Sequence, residues 1–247
     1  MTSPAAPLRE LAQQGHLSTH QFMDQATLDW ITANRPTLAP AASLPYPLLL
    51  LVPEAAWFVE ARGVDSIHGV RHGARVCLLA SLLAQEHKLS HDDTVALCAA
   101  AAVHDCRRRD DRADPGHGHR AAHWFARNNA TVLAVGGWHT SAAALAKAAV
   151  AIGLHDVPHH VFSPKEQRAY QTARLPVDLL KAADCLDRYR LPLTRWWPDP
   201  SYLRITVPSW LHAVAFDLVV RSEQARLDGA THHDALTHAL ALLGHDQ

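Results

Sequence analysis

Strand-like alternation of apolar and polar residues is nearly absent from the sequence. Alanine- and leucine-rich segments with helical spacing recur instead between Gly, Pro and Asp breaks, which argues against a β-rich fold and predicts an all-α one. Charge of one sign is missing too: 23 Lys and Arg stand against 24 Asp and Glu, for a formal net charge of -1. No field of one sign draws in a polyanion, so neither a large nucleic-acid partner nor an anionic membrane surface is expected. The four cysteines, Cys77, Cys98, Cys106 and Cys185, form no CxxC pair and lie in apolar helical stretches. That argues against a cysteine zinc site and reads as reduced thiols in a cytoplasmic protein. The opening MTSPAAPLRE has no basic region followed by an apolar run, so no secretory signal is expected. The most apolar stretch, residues 44–58, is broken by Pro45, Pro47 and Pro53 and is too short to span a bilayer. It reads as an extended, packed connector.

Histidine is in excess, with 19 residues in 247 where average usage would supply roughly 5 to 6. Either some of them bind metal or they are scattered over the surface. At this length the chain can bury a sizeable core without disulfides, and a single helical domain is expected. Its lead-in covers residues 1–56, helical to about Asn34 and then proline-rich from Pro36 to Pro53. The core covers residues 57–191. After it TRWWPDPSYLR reads as a loop, with closing helices over residues 205–245.

Three places carry chemistry. In IHGVRHGARVCLLASLLAQ, His72, Val76, Leu79 and Leu83 recur at three- and four-residue steps, so His72 heads the buried stripe of a helix. The next helix, with Asp92 or Asp93 as N-cap, runs through TVALCAAAAVHD and ends in His104 and Asp105. In VDLLKAADCLDRYRL, Val177, Leu180 and Asp184 share a face, while Asp187 and Arg188 lie on other faces and pair with solvent or neighbours. A lone histidine of this kind is ordinarily a satisfied core residue, and a helix end can simply be wet. Two carboxylates and two histidines in line with apolar residues make a hard cation the economical explanation, because buried charges are paired or coordinated. Such a set suits manganese, iron, nickel, cobalt, zinc or magnesium.

These residues resemble the HD superfamily of metal-dependent phosphohydrolases: His72 in HGARV, His104 and Asp105 in AAVHD, and Asp184 in KAADCLDR, across residues 66–190, about half the chain. The resemblance implies an HD-like helical bundle with a metal held by His72, His104, Asp105 and Asp184. Many members hold a second metal through extra histidines, for which DPGHGHRAAHWF offers His117 or His119 and AVAIGLHDVP offers His155. His155 ends a stripe with Leu145, Ala148 and Ile152 on a helix over residues 141–155. One or two divalent ions are therefore expected, with two favoured. His68, one turn before His72, is expected to orient a ligand or touch substrate. In the run CRRRDDRADPGHG, Arg108 and Arg109 could bind phosphate, although such a run also reads as a self-neutralising solvated loop. Lys181 is a similar candidate, and Trp196, Trp197, Tyr202 and Arg204 are candidate pocket residues.

The activity the resemblance implies is hydrolysis of a small phosphorylated metabolite, a nucleotide foremost, by metal-activated water, with Asp105, Arg108, Arg109 and His68 as its catalytic group. Two alternatives stand beside it: an HD-type di-iron oxygenase using dioxygen, and a non-catalytic helical module that keeps a metal for structure or senses a nucleotide.

Overall fold

The computed structural model describes residues 6–40, 44 and 48–245, and among them there is no strand. Parts of the expected connector, including Pro45 and Pro47, lie outside the described residues, as do residues 1–5 of the opening. Among the described residues ten α-helices occur in chain order: α1 (Leu8–Gln14), α2 (Gln25–Ala33), α3 (Val70–Glu86), α4 (His91–Val103), α5 (His117–Gly136), α6 (Ala142–Leu154), α7 (Pro164–Thr172), α8 (Arg174–Leu186), α9 (Ser209–Leu227) and α10 (His232–His245). None is long and apolar enough to cross a membrane.

Local capping sets several of these boundaries. Ser90 is the N-cap of α4, accepting the Asp93 backbone N–H at 3.2 Å. The helix thus starts earlier than an Asp92 or Asp93 cap would place it, because the serine hydroxyl reaches the first orphan N–H groups and leaves both aspartates in the first turn. Ser141 caps α6 and Ser163 forms a capping box with Glu166 on α7, whose first residue is Pro164.

Helix α3 lies at the centre, against α4, α8, α9 and α10, with α6 bridging α4 and α8 and α5 lying along α6. It is buried on every face from Val70 to Ala84, and the expected single stripe is therefore corrected to an enclosed helix. Enclosure takes in polar side chains as well: Arg71, Arg75 and Ser81 are buried with the leucines and need partners. The connector after Leu44 packs on this helix, where the Leu49 N–H donates to Ser81 Oγ at 3.1 Å and the Cys77 thiol donates to the Leu49 carbonyl. The four cysteines are buried and free of disulfides. The segment TRWWPDPSYLR, expected as a loop or turn, contains 3-10 turns over Thr194–Trp196 and Pro200–Tyr202, and a further 3-10 turn over Asp187–Arg190 follows α8 directly.

Helices α3 and α4 meet tightly at Gly73, where a Cβ would collide with the Ala102 carbonyl oxygen. Gly118 of α5 likewise lies close to α6, where a Cβ would stand 2.7 Å from the Ile152 carbonyl oxygen. Both glycines follow a histidine, His72 or His117, so each HG pair sets a ring beside the end of a neighbouring helix. Gly73→Ala should therefore destabilise the fold by about 1–3 kcal/mol through overpacking, measurable by denaturant unfolding. A stability equal to the parent's would show that the two helices need not touch here.

Candidate metal centre

The candidate residues gather at one end of the bundle, where the C-termini of α4, α6 and α8 meet the N-termini of α3 and α5. His72 lies in the first turn of α3, His104 and His155 are the C-caps of α4 and α6, His117 opens α5, and Asp184 sits in the last turn of α8. Three helix C-termini aim their partial negative charge at this point, which favours a cation.

Each histidine is oriented from behind. His104 donates Nδ1–H to the Ala101 carbonyl at 2.7 Å, His155 to the Ile152 carbonyl at 2.8 Å and His117 to the Asp114 carbonyl at 2.8 Å. His72 donates Nδ1–H to Asp187 Oδ2 at 2.7 Å. With those protons placed, all four Nε2 atoms present lone pairs to the interior. They meet in two dyads: His72 Nε2 is 3.1 Å from His104 Nε2, and His117 Nε2 is 3.0 Å from His155 Nε2. Lone pairs do not face each other at that range without a proton or a cation between them.

Asp105 stands between the dyads. Its Oδ1 is 2.8 Å from His117 Nε2 and 3.3 Å from His155 Nε2, and its Oδ2 is 3.6 Å from His72 Nε2. Asp184 Oδ1 closes the first dyad at 3.4 Å from His72 and 3.8 Å from His104. Donors held about 2.0–2.2 Å from one ion stand about 3.0–3.6 Å from one another, so the spacing fits. The groups His72–His104–Asp184, His104–Asp105–His155 and His68–His72–Asp105 could each hold a metal ion, the second of them fully buried.

Burial works against charge throughout the cluster, and the neighbours decide the outcome. Asp105 is held well below the usual carboxylate range because Arg108, His104 and His117 outweigh the burial, and Asp184 is held low by His104, His72 and Arg190. His104 is raised, its burial overcome by Asp105 and Asp184, and His117 is raised by Asp105. His155 is lowered by burial and by those two charged neighbours. Without a metal ion, the raised pKa values of His104 and His117 favour a proton on these rings. Metal uptake must expel those protons, and because both pKa values are raised, the apparent metal affinity should climb as pH rises through the histidine range. Titrations at stepped pH would reveal it, and a pH-independent affinity would count against this protonation pattern.

Above the cluster lies a cavity of about 640 Å³, walled in part by His68, Asp105, Arg108, Arg188, Arg190 and Trp196. His68 Nδ1 lies 2.8 Å from Asp105 Oδ2 and 3.1 Å from a guanidinium nitrogen of Arg190, and its pKa is well below the usual value through burial, Arg108 and Arg190. Arg108 turns inward, with Nη1 3.5 Å from Asp105 Oδ2 and 3.2 Å from His117 Nε2.

Several expected positions fall elsewhere. Arg109 is exposed and not part of the cavity wall; only its backbone N–H is engaged, by Asp114. Elsewhere in that run Arg112 pairs with Asp110 and Arg107 lies over the Trp124 ring, while Arg120, just beyond it, pairs with Asp114. His119 is exposed on the far side of α5, 3.2 Å from Glu166, so of the two candidate histidines only His117 faces the cluster. The Lys181 ammonium caps the His155 and Val157 carbonyls at 2.8 and 2.7 Å, outside the cluster. Trp197 packs into the core with Trp30, Tyr189 and Phe216.

Asp187, expected on another face and paired with solvent or neighbours, pairs with neighbours at the cluster itself. It is fully buried, because the chain tightens from α8 into a 3-10 turn and swings it under His72. Its carboxylate accepts from His72 and from Arg75 Nε at 2.6 Å, and these neighbours outweigh the burial to hold its pKa at about 2. The only sequence signal for it was an acid three residues after Asp184 in ADCLD. As a carboxylate behind a histidine ligand it orients the ring and raises its basicity, so Asp187→Asn should weaken divalent-cation binding about 10–100-fold. Calorimetry on the folded variant would test this, an unchanged affinity being the contrary result.

Comparison of the chain with protein-family models, with curated proteins and with solved structures finds no match.

Proposed function

We propose that this protein is a metal-dependent phosphohydrolase, a phosphatase or phosphodiesterase of the HD type, acting on a small phosphorylated metabolite with nucleotides foremost. One observation carries the reading: two histidine dyads with opposed Nε2 lone pairs flank the buried carboxylate of Asp105 on the floor of an arginine-walled cavity. One ion would be held by His72, His104, Asp105 and Asp184, and a second by His117, His155 and Asp105. A divalent cation there lowers the pKa of a bound water and polarises a phosphoryl oxygen.

The remaining work falls to the chain's own groups. Asp105 keeps its charge at every working pH and so can serve both dyads. Arg108 and Arg190, two of the cations on the cavity wall, offer donors to a phosphoryl group and neutralise charge that develops on its oxygens. His68 Nδ1 sits between Asp105 Oδ2 and an Arg190 guanidinium nitrogen, and its lowered pKa keeps the ring neutral, so that it can take up or pass on a proton at the cavity wall.

The test is hydrolysis of a panel of phosphomonoesters, phosphodiesters and 5′-nucleotides by protein reconstituted with Mn, Fe, Ni, Co, Zn or Mg, beside a His104→Ala control. Hydrolysis lost in the control supports the reading. Oxygen-dependent turnover of an iron-loaded protein would favour dioxygen chemistry, and unfolding on chelation without any turnover would favour a structural metal.

A further inference from the structure

A second cavity, of about 480 Å³, adjoins the first along the outer face of α8, and the two share His155, Asp156, Asp184 and Arg188. Its wall carries three cations from separate parts of the chain: Lys181 and Arg188 on or just after α8, and Arg204 from the segment after the Pro200–Tyr202 turn. None of the three is within ion-pair distance of a carboxylate among the described residues. Two acids share this wall: both act through space on Lys181, and Asp156 keeps one oxygen, Oδ1, without a hydrogen-bond partner among the described residues. Asp184 lies against His72 and His104, and Asp156 is 3.3 Å from His117 Nδ1. A third acid nearby, Asp178, has its oxygens taken by His159 at 2.9 Å and by the Tyr170 hydroxyl at 2.8 Å.

The cations are also held in place. Lys181 is fixed by two carbonyls, which leave one of its three N–H donors unused. Arg204 lies over the Tyr170 ring, its guanidinium carbon 5.4 Å from the centroid, an arrangement that restrains a side chain otherwise open to solvent. Arg188 makes no hydrogen bond through its guanidinium among the described residues, although it is half-buried and lines both cavities. A half-buried guanidinium with unused donors, beside a lysine and an arginine that form no close ion pair among the described residues, makes a groove suited to an anion.

We propose that this groove is a second anion subsite, read by Arg188 and Arg204, so that the substrate carries a further anionic group beside the phosphoryl presented to the histidine dyads. The inference rests on the phosphohydrolase reading for the identity of the first group and on the groove's own charges for the second. A diphosphate, or a phosphate ester bearing a neighbouring phosphate or carboxylate, has this chemistry. Arg188, on the wall common to both cavities, would contact both anionic groups, while Arg204 would contact only the second.

Titration calorimetry of chelator-treated, full-length protein with inorganic pyrophosphate and with inorganic phosphate tests the subsite without a loaded metal. Arg204 is exposed, so Arg204→Ala should fold as the parent does. It should weaken pyrophosphate binding about 10–100-fold, the loss expected for a charge-assisted hydrogen bond, and leave phosphate binding nearly as it was. Arg188→Ala should weaken both anions, and Arg204→Lys should restore part of the pyrophosphate affinity. Pyrophosphate binding unchanged in Arg204→Ala, or both anions weakened equally by it, would overturn the subsite. Selective loss in that variant, with no hydrolysis by the loaded parent, would keep the subsite and sink the hydrolase reading.

Discussion

Asp105→Ala should abolish both metal retention and turnover. Its carboxylate is the one group within 4 Å of all four facing Nε2 atoms, so its removal takes a donor from each dyad at once. The loss in cation affinity should exceed the roughly 10–100-fold expected for an outer hydrogen-bond partner such as Asp187. Asp105→Asn keeps the shape and one acceptor but removes the charge, and should lie close to the alanine variant in affinity and close to the parent in fold. Elemental analysis and circular dichroism on both variants separate a lost site from a lost structure. Parent-like metal content in either would mean that the dyads do not depend on this carboxylate.

The largest effect on stability is expected at Arg75. This guanidinium is fully buried in α3, donating to Asp187 at 2.6 and 3.1 Å and to Glu223 of α9 at 2.6 Å; Arg71 adds a second bond to Glu223 at 2.9 Å and is also held by Asp65. Removing it leaves two carboxylates in the core short of their cation, which should cost about 3–5 kcal/mol. For a chain of this size that corresponds to a fall in melting temperature of about 6–20 °C. Lysine should rescue little, because one ammonium cannot serve two carboxylates with the geometry of a guanidinium fork. Melting temperatures of the two variants within a degree or two of the parent would show that the network carries no such weight.

The same network fixes an acid limit. Burial opposes the charge on Asp187 and Glu223, but Arg75 and Arg71 outweigh it, and both carboxyls titrate below their unfolded values. A depressed carboxylate contributes stability that is present above its unfolded pKa, about 4, and is lost as pH falls towards the folded value. Stability should accordingly drop between about pH 4 and 2 in the parent, and drop less in Arg75→Ala, where one of the cations that cause the depression is gone.

What the sequence made legible follows from what each pattern depends on. The all-α class was readable because period-3.6 runs such as VRHGARVCLLASLLAQ are long and unbroken. The six residues named as possible ligands, His72, His104, Asp105, His117, His155 and Asp184, lie together because each sits at a helix end, where one local boundary fixes the position. Features that depend on tertiary packing were harder to read. Burial of α3 on all sides depends on α9 and α10, far along the chain, and the partners of Arg71 and Arg75 at Glu223 are 152 and 148 residues away. The partner of Asp187, solvent or a neighbour, could not be named because an ideal helix would carry it to another face, whereas the 3-10 turn rotates it under His72. Arg109 and His119 could not be told from Arg108 and His117 by residue type, since each neighbours its counterpart within one turn and only the direction of the side chain decides.

The most direct test is calorimetric titration of divalent cations into chelator-stripped, folded protein, with proton release measured in two buffers of different ionisation enthalpy. The account predicts uptake of one or two ions per chain, with protons expelled from the dyads and binding lost in Asp105→Ala. A folded protein that takes up no divalent cation, or takes it up equally well without Asp105, would contradict it.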